Sequence, residues 1–245
     1  MCLFVVDGTW SSEFNSNDNG KDAAGKAVGT SKEDVRTNSR RFFEECLYPS
    51  SKKFYFTGPA YGVSGDDSYG IYFDVIRTIE REINRGNCEE IYMVGWSRGA
   101  TIISEITETL SLLAGTNSRG NPTKIGRTMH IRPIENVLNR PMPPVRFVGL
   151  FDSVAMITRR SPVDSHWGED VTAIVEYCAH VTAGIRWSDS WIYYYKRDPN
   201  IQAQRTELKH MTYADHWGVG GEATQWDARE AYQFIRNHAY LAGCP

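Results

Sequence analysis

The sequence contains no apolar run that approaches the roughly 20 residues needed to span a bilayer. Its amino-terminal stretch, MCLFVV, is apolar for only a few residues, has no basic flank and no small-residue cleavage site, and runs directly into Asp7. A cleavable signal peptide is therefore not expected. We predict a soluble protein that is cytoplasmic, or exported without a cleavable signal, and whose contact with membranes is peripheral.

Paired cysteine motifs and an excess of basic residues are also lacking. The five cysteines are scattered and form no CxxC pair, which argues against a disulfide framework or a zinc site and favours free thiols in a reducing compartment. The formal net charge is -3 and the isoelectric point is about 6.1, so no basic surface field draws the chain to nucleic acid. We expect neither nucleic acid nor a metal ion as a partner.

What the sequence does contain is a regular alternation of strand-like and helix-like segments. The chain has 245 residues, 41% of them hydrophobic, and no long linker, so residues 1–245 are expected to form one domain. Short β-branched or aromatic runs predict strands at Leu3–Val6, Lys53–Thr57, Ile91–Val94, Val145–Phe151 and Leu208–Tyr213. Apolar residues at helical spacing predict helices that follow Ser31 and that cover Tyr72–Ile83, Ala100–Leu113 and Asp227–Leu241. We therefore predict an α/β fold, with a mostly parallel central sheet and helices on both faces.

Two segments do not fit this alternation, and both are predicted to be insertions at the carboxyl ends of strands. Thr116–Pro144 is polar, and Met156–Arg205 is rich in aromatic residues. Such insertions often cover a substrate pocket, although packing of a long excursion explains the aromatic residues equally well. The tryptophans that we predict to line a pocket are Trp10, Trp96, Trp187 and Trp191.

The most informative short motif is Gly95-Trp96-Ser97-Arg98-Gly99, which fits the pattern G-x-S-x-G. In a nucleophile elbow the serine occupies a sharp strand-to-helix turn, and here a predicted strand precedes the motif and a predicted helix follows it. The glycines are needed because the serine backbone is strained and the strand must approach the helix closely. We interpret Ser97 as a nucleophile; a structural turn serine is the alternative.

A serine hydroxyl is a poor nucleophile and needs a histidine base, which an acid holds in the correct tautomer. Asp152 directly follows the strand Val145–Phe151 and is the candidate acid, with a helix N-cap as its alternative role. His216 lies in a glycine-rich turn between the last predicted strand and the last helix, where the base of an α/β-hydrolase is expected. His180 is the second candidate for the base.

An oxyanion intermediate also needs hydrogen-bond donors. The backbone N–H of Arg98, which follows the serine, is one candidate, and the turn after the first strand supplies the others at Gly8 and Thr9. A plain Asp-Gly turn is an equally good interpretation of that segment. No cofactor is needed for this chemistry, and the near P-loop Gly20–Ala27 ends in Ala27, which has no hydroxyl for magnesium.

Four motifs occur in a fixed order: DGTW after the first strand, GWSRGA at the elbow, GLFDSV at the acid and HWGVGG before the last helix. In these motifs the chain resembles an uncharacterised α/β-hydrolase family that includes the catalytic domain of type VI secretion phospholipase effectors. The resemblance runs from about Cys2 to the last helix. It implies that Ser97 is the nucleophile, Asp152 the acid and His216 the base.

The resemblance also implies a function, although this chain differs from the family pattern at one position near the histidine. We expect a serine hydrolase that cleaves esters of lipids or phospholipids and, if the chain is an effector, an immunity protein as its partner. The family usually has an aspartate two residues after the histidine, but this chain has Gly218 there, so any role of that aspartate is lost or is moved to Asp215. The alternatives are an acyltransferase or thioesterase with the same triad, and a non-catalytic binding module.

Overall fold

The structure, a computed structural model, describes residues 1–9, 36–59, 68–115, 138–154, 168–184, 199–221 and 225–245. Its strands are β1 (Cys2–Val6), β2 (Lys53–Phe56), β3 (Ile91–Trp96), β4 (Val145–Phe151), β5 (Asp170–Val171), β6 (Tyr177–Ala183), β7 (Asn200–Ile201) and β8 (Arg205–Met211). Its helices are α1 (Asn38–Glu45), α2 (Ser68–Asn84), α3 (Arg98–Leu113), α4 (His216–Gly220) and α5 (Gln225–Leu241). A short 3₁₀ turn, Ser50–Lys52, leads into β2.

The central sheet has six described strands in the order β2-β1-β3-β4-β6-β8, and every neighbouring pair is parallel. The inner strands β1 and β3 are completely buried, which agrees with their nearly continuous apolar sequences. Parallel pairing brings the carboxyl ends of all these strands to one edge of the sheet. The predicted α/β class and parallel sheet are confirmed.

Helices cover both faces of the sheet, as predicted. On one face, Ile79 of α2 and Ile103 of α3 belong to the core cluster that contains Phe4 of β1. On the other face, Phe42 of α1 and Ile235 of α5 belong to a second cluster with alternate strand residues. Because side chains alternate along a strand, each strand supplies both cores.

The helix boundaries follow local capping chemistry. Thr37 is the N-cap of α1, and its side chain accepts a hydrogen bond from the Arg40 N–H. Helix α3 ends just before Gly115, which has the positive φ (75°) that favours glycine. The predicted capping box at Ser31 lies outside the described residues.

The prediction that Met156–Arg205 is an insertion is wrong for part of that segment. Residues Tyr177–Ala183 form β6, which lies inside the sheet between β4 and β8. Its sequence, YCAHVTA, mixes small, polar and aromatic residues, so it lacks both the apolar run and the polar alternation that predict a strand. The strand nearest the predicted Leu208–Tyr213 begins earlier, at Arg205.

One pair of cysteines departs from the expectation of free thiols. Cys2 and Cys88 form a disulfide, whereas Cys46, Cys178 and Cys244 are free and buried. The two bonded cysteines are separated by 86 residues. They meet because Cys2 begins β1 and Cys88 precedes β3, and these strands are parallel neighbours. Sequence spacing alone does not reveal that proximity.

Candidate active site

Ser97 occupies a sharp turn between β3 and α3, at the carboxyl edge of the sheet. Its backbone has φ 55° and ψ −124°, a conformation that residues with side chains rarely adopt. Gly99 lets the start of α3 approach the end of β1 closely, because a Cβ at residue 99 would lie 2.4 Å from the carbonyl oxygens of Val6 and Asp7. The strand–turn–helix context and the strained serine agree with the geometry of a nucleophile elbow.

The side chain of Ser97 points to a histidine and not to its own helix. It makes no capping hydrogen bond to α3, and its Oγ lies 2.8 Å from His216 Nε2. Its backbone is fixed independently: the Ser97 N–H donates to the Phe151 carbonyl at 2.9 Å, and its carbonyl accepts from the Val154 N–H at 3.2 Å. The hydroxyl is therefore held beside an acceptor nitrogen by contacts that do not involve the hydroxyl itself.

His216 is the first residue of α4, and both of its ring nitrogens have partners. Nδ1 lies 2.7 Å from Asp152 Oδ2, and Nε2 lies beside Ser97 Oγ. Because an ionised carboxylate only accepts hydrogen bonds, Nδ1 carries the hydrogen and Nε2 accepts from the serine. Of the two candidate bases, His216 is the one that lies between Ser97 and Asp152.

The short helix α4 holds the His216 backbone in place. Asp215 is its N-cap, and the Asp215 side chain accepts from the Gly218 N–H at 2.6 Å. A Cβ at residue 218 would approach Asp215 Oδ1 to 3.2 Å. Asp215 thus holds the amino end of the helix that carries His216.

The second candidate base, His180, lies elsewhere. It is buried in β6, and its Nε2 is the acceptor for the backbone N–H of Ser153 at 3.5 Å. On β6 it alternates with Ala179 and Val181, which face the core of α1 and α5, so it belongs to the opposite face. The contact of His180 with the Ser153 N–H supports the turn after Asp152.

Asp152 directly follows β4 and also has a positive φ, 39°. Its N–H donates to the Val181 carbonyl at 2.7 Å, and its Oδ1 accepts from the Ala183 N–H at 2.9 Å. The remaining oxygen, Oδ2, faces His216. Strand β6 therefore positions the acid through two main-chain groups, and no side-chain signal in the sequence could have revealed this.

The predicted oxyanion donors surround the same edge. Arg98 begins α3, so its N–H belongs to the amino end of the helix, where the helix dipole favours negative charge. Thr9 is only 5% exposed and follows Gly8, which packs against Trp96. The Gly8 N–H, however, donates to Asp7 Oδ1 at 2.8 Å, so this predicted donor is engaged within the turn. Thr9 and Arg98 are the predicted donors that remain.

Asp7 is a buried carboxylate that sequence reasoning did not single out. Besides Gly8, it accepts hydrogen bonds from the hydroxyl groups of Thr37 at 2.6 Å and Tyr55 at 2.5 Å. Burial raises the pKa of Asp7, and the hydrogen bonds from Thr37, Tyr55 and Gly8 oppose that rise, as does the charge of Arg40. Three segments of the chain thus converge on one carboxylate below the turn.

Trp96 has a structural position that differs from the expectation. Its side chain is fully buried in the core cluster of α1 and α5, and ring contacts join it to His216 (5.6 Å) and Trp217 (5.9 Å). A Cβ at residue 8 would lie 2.4 Å from the indole. Trp96 therefore packs beneath the site and does not present a face to a solvent-open pocket. Trp10, Trp187 and Trp191 lie outside the described residues.

The three side chains form one continuous hydrogen-bonded chain. Ser97, His216 and Asp152 are all buried, so their mutual hydrogen bonds are shielded from water and electrostatically stronger than surface contacts. The imidazole can accept the Ser97 proton, and the carboxylate then faces the resulting imidazolium. Within the described part of the chain, no group of three or more His, Cys, Asp or Glu side chains is arranged to hold a metal ion.

Comparisons with known proteins give support for the fold. No protein-family model matches the sequence, and no curated protein matches it. An uncharacterised protein from Pseudomonas aeruginosa has a similar crystal structure, with 12% identity and a TM-score of 0.60. The match covers 100% of this chain but 46% of the other, so this chain spans less than half of that protein's length.

Two further structures are similar at a lower level. The Tle1 effector bound to the VgrG spike of the type 6 secretion system aligns with 91% of this chain and 51% of its own, at 12% identity and a TM-score of 0.40. RedJ with a PEG molecule in its active site aligns with 99% of this chain and 88% of its own, at 9% identity and the same TM-score. Of the three structures, the one with the TM-score of 0.60 shows a similarity of fold, and at 12% identity that similarity extends to the fold alone.

Proposed function

We propose that the protein is a serine hydrolase that cleaves carboxylic esters through an acyl-enzyme intermediate. One observation carries the proposal: a continuous chain of hydrogen bonds runs from Ser97 Oγ to His216 (2.8 Å) and from His216 to Asp152 (2.7 Å). A serine at positive φ, between a strand and a helix, adds support. Groups of these types in this order are what an activated serine requires.

In the proposed reaction, Ser97 Oγ attacks the ester carbonyl carbon while His216 Nε2 takes the hydroxyl proton. The N–H groups of Arg98 and Thr9 stabilise the oxyanion of the tetrahedral intermediate. His216 then returns the proton to the leaving alcohol, and an acyl group remains on Ser97. Water, activated by His216 in the same way, releases the carboxylic acid. Asp152 keeps its negative charge and holds the His216 tautomer throughout.

Lipid or phospholipid esters are the proposed substrates. The support is the resemblance in the four motifs and the tryptophan-rich stretches of the sequence, which suit an apolar acyl chain. Such a substrate implies contact with a membrane surface, and none of the described helices has the length and apolarity to cross one. An immunity protein is the proposed partner if the chain is an effector.

The proposal is tested with a chain-length series of p-nitrophenyl esters and a phospholipid, supplied to wild type, Ser97→Ala and Ser104→Ala. Ser104 is a matched control because it is a buried serine in α3 whose hydroxyl donates to the Ala100 carbonyl of the same helix. We expect Ser97→Ala to lose several orders of magnitude in kcat and Ser104→Ala to retain wild-type activity. A fluorophosphonate probe should label wild type at Ser97.

Each outcome points to a function. Hydrolysis that depends on Ser97 supports the hydrolase, and the preferred chain length measures the acyl site. Labelling of Ser97 without hydrolysis, together with acyl transfer to an added alcohol or thiol, favours an acyltransferase. Wild type that neither hydrolyses any ester nor reacts with the probe contradicts the proposal and favours a binding module.

A further inference from the structure

The carboxylate of Asp7 joins three segments that are distant in the sequence. Asp7 follows β1 and is 1% exposed. Its Oδ1 accepts from the Gly8 N–H, and its Oδ2 accepts from Thr37 at the N-cap of α1 and from Tyr55 in β2. Buried carboxylates are costly unless they are fully hydrogen-bonded, so a site with three donors is built to hold this group.

The turn that Asp7 anchors packs directly against both sides of the elbow. On one side, a Cβ at Gly99 would lie 2.4 Å from the Asp7 carbonyl oxygen. On the other side, a Cβ at Gly8 would lie 2.4 Å from the ring of Trp96, the residue before Ser97. Close packing on both sides therefore fixes the position of the turn relative to Ser97.

Thr9, the next residue of the turn, carries a second observation. Its hydroxyl oxygen is buried and has no hydrogen-bond partner among the described residues. Buried polar atoms normally have partners. We take the missing partner to be a ligand atom, because the turn that carries this hydroxyl packs against the elbow. The Gly8 N–H is held by Asp7 and leaves that role to Thr9.

We propose that Asp7 is a positioning residue for the reaction, whose carboxylate fixes the turn so that Thr9 donates to the oxyanion. The proposal rests on the proposed hydrolase function. Asp7 does not touch the substrate. It acts by holding the Gly8 peptide, which sets the direction of the Thr9 N–H, and Thr37 and Tyr55 fix the carboxylate in turn. The cation that acts on Asp7 is Arg40 of α1, which also lies over the Tyr55 ring, 4.6 Å from its centre.

The test compares Asp7→Asn with two variants of its partners. Tyr55→Phe and Thr37→Val each remove one hydrogen-bond donor to Asp7 Oδ2. The asparagine keeps the shape of the side chain but has one acceptor oxygen instead of two. We expect kcat to fall by about 100-fold in Asp7→Asn, the size of losing an oxyanion donor, with KM within about threefold. Tyr55→Phe and Thr37→Val should lower kcat by roughly threefold to tenfold.

Two measurements separate positioning from a merely structural role. Binding of a trifluoromethyl ketone, which forms a tetrahedral oxyanion on the serine, should weaken in proportion to kcat, and phosphonylation by the fluorophosphonate should slow similarly. Tyr48→Phe is the matched control, because it removes a buried tyrosine hydroxyl from the core cluster of α1 and α5, away from Asp7. We expect wild-type kcat and inhibitor affinity in that variant.

The outcomes distinguish this inference from the proposed function. If wild type reacts with the fluorophosphonate and hydrolyses esters but folded Asp7→Asn has wild-type kcat, the positioning role is overturned and the hydrolase stands. If Asp7→Asn does not fold, wild-type kcat in both Tyr55→Phe and Thr37→Val overturns it equally. If wild type itself is inert towards both ester and probe, the proposed function fails, and the inference fails with it.

Discussion

Two residues of the candidate site, Ser97 and Asp152, have positive φ angles, at 55° and 39°. Such conformations cost of order 1–3 kcal/mol each and persist only where the surroundings determine them. Here the two turns support each other, because the Ser97 N–H donates to the carbonyl of Phe151, which directly precedes Asp152. Asp152 is in turn bonded to β6 through the Val181 carbonyl. These backbone hydrogen bonds thus hold the serine and acid turns together through contacts that do not involve His216.

The first prediction separates the two buried histidines. His216→Ala should lower kcat by roughly 10⁴–10⁶-fold, because it removes the ring nitrogen that lies 2.8 Å from Ser97 Oγ and takes its proton in the proposed reaction. His180→Asn removes the weak acceptor of the Ser153 N–H at 3.5 Å and leaves the hydrogen-bonded chain intact, so its kcat should stay within about tenfold of wild type. Steady-state ester hydrolysis measures both. If His180→Asn were inactive while His216→Ala kept its activity, His180 would be the base.

At the scale of elements, the sequence predicted those features that depend on local patterns. The elbow between β3 and α3 has both a motif and two strong flanking patterns, and Val145–Phe151 matches β4 residue for residue. Strand β6 was missed because its role comes from its neighbours: it pairs with β4 and β8, and a strand buried on both sides needs no regular pattern. The Val181 carbonyl and the Ala183 N–H, which hold Asp152, both lie on β6, so sequence reasoning missed them together with the strand.

The position of His216 depends on contacts between helices. Asn38 in α1 is buried, and its Nδ2 donates to the Val219 carbonyl of α4 at 2.9 Å and to the Ala228 carbonyl of α5 at 2.8 Å. One amide therefore joins the helix that carries the histidine to the helices on either side. The helix α4 also packs into the core through Val219 and Trp217, and the Asn38 side chain adds a polar link to that packing.

The second prediction tests that link. Asn38→Ala leaves one buried and one partly buried carbonyl group without this donor, and we expect the free energy of unfolding to fall by about 1–3 kcal/mol. Because α4 carries His216, kcat should fall as well, while Ser97 stays in place. Asn237→Ala is the matched control, since Asn237 is an exposed residue of α5 and its loss should change stability by less than about 0.5 kcal/mol. Urea denaturation and ester hydrolysis provide the measurements; equal effects of the two variants would contradict the link.

At the scale of the whole molecule, glutamates with shifted pKa values contribute to the pH dependence of stability. Burial raises the pKa of Glu80 in α2 and of Glu108 in α3, whereas hydrogen bonds from arginines contribute to a lowered pKa in Glu44 and Glu45. The two groups have opposite effects. Glu44 and Glu45, whose pKa is lowered in the folded protein, stabilise the fold above their unfolded pKa. This contribution is lost as the pH falls through the folded pKa. Glu80 and Glu108, whose pKa is raised in the folded protein, destabilise the fold once they are ionised.

Glu80 gives the third prediction. Its side chain is 4% exposed, and its Oε1 has no hydrogen-bond partner among the described residues. Because the folded-state pKa lies above the unfolded value of 4.5, the folded protein binds the proton more tightly, and stability declines as the pH rises from about 4.5 through the folded pKa. Glu80→Gln cannot ionise, so above this range it should be more stable than wild type by about 1 kcal/mol, the low end of the penalty for an uncompensated buried polar group.

The measurement is urea denaturation of wild type and Glu80→Gln between pH 4 and pH 8. The difference in the free energy of unfolding isolates Glu80, because Glu108 and Asp7 titrate in both proteins and cancel. We expect the difference to grow with pH and then to level off. Glu89→Gln is the matched control for replacing a glutamate by a glutamine, because Glu89 is exposed in the turn after α2. A constant difference at every pH would mean that Glu80 stays protonated or finds a partner when it is ionised, and would contradict the assigned cost.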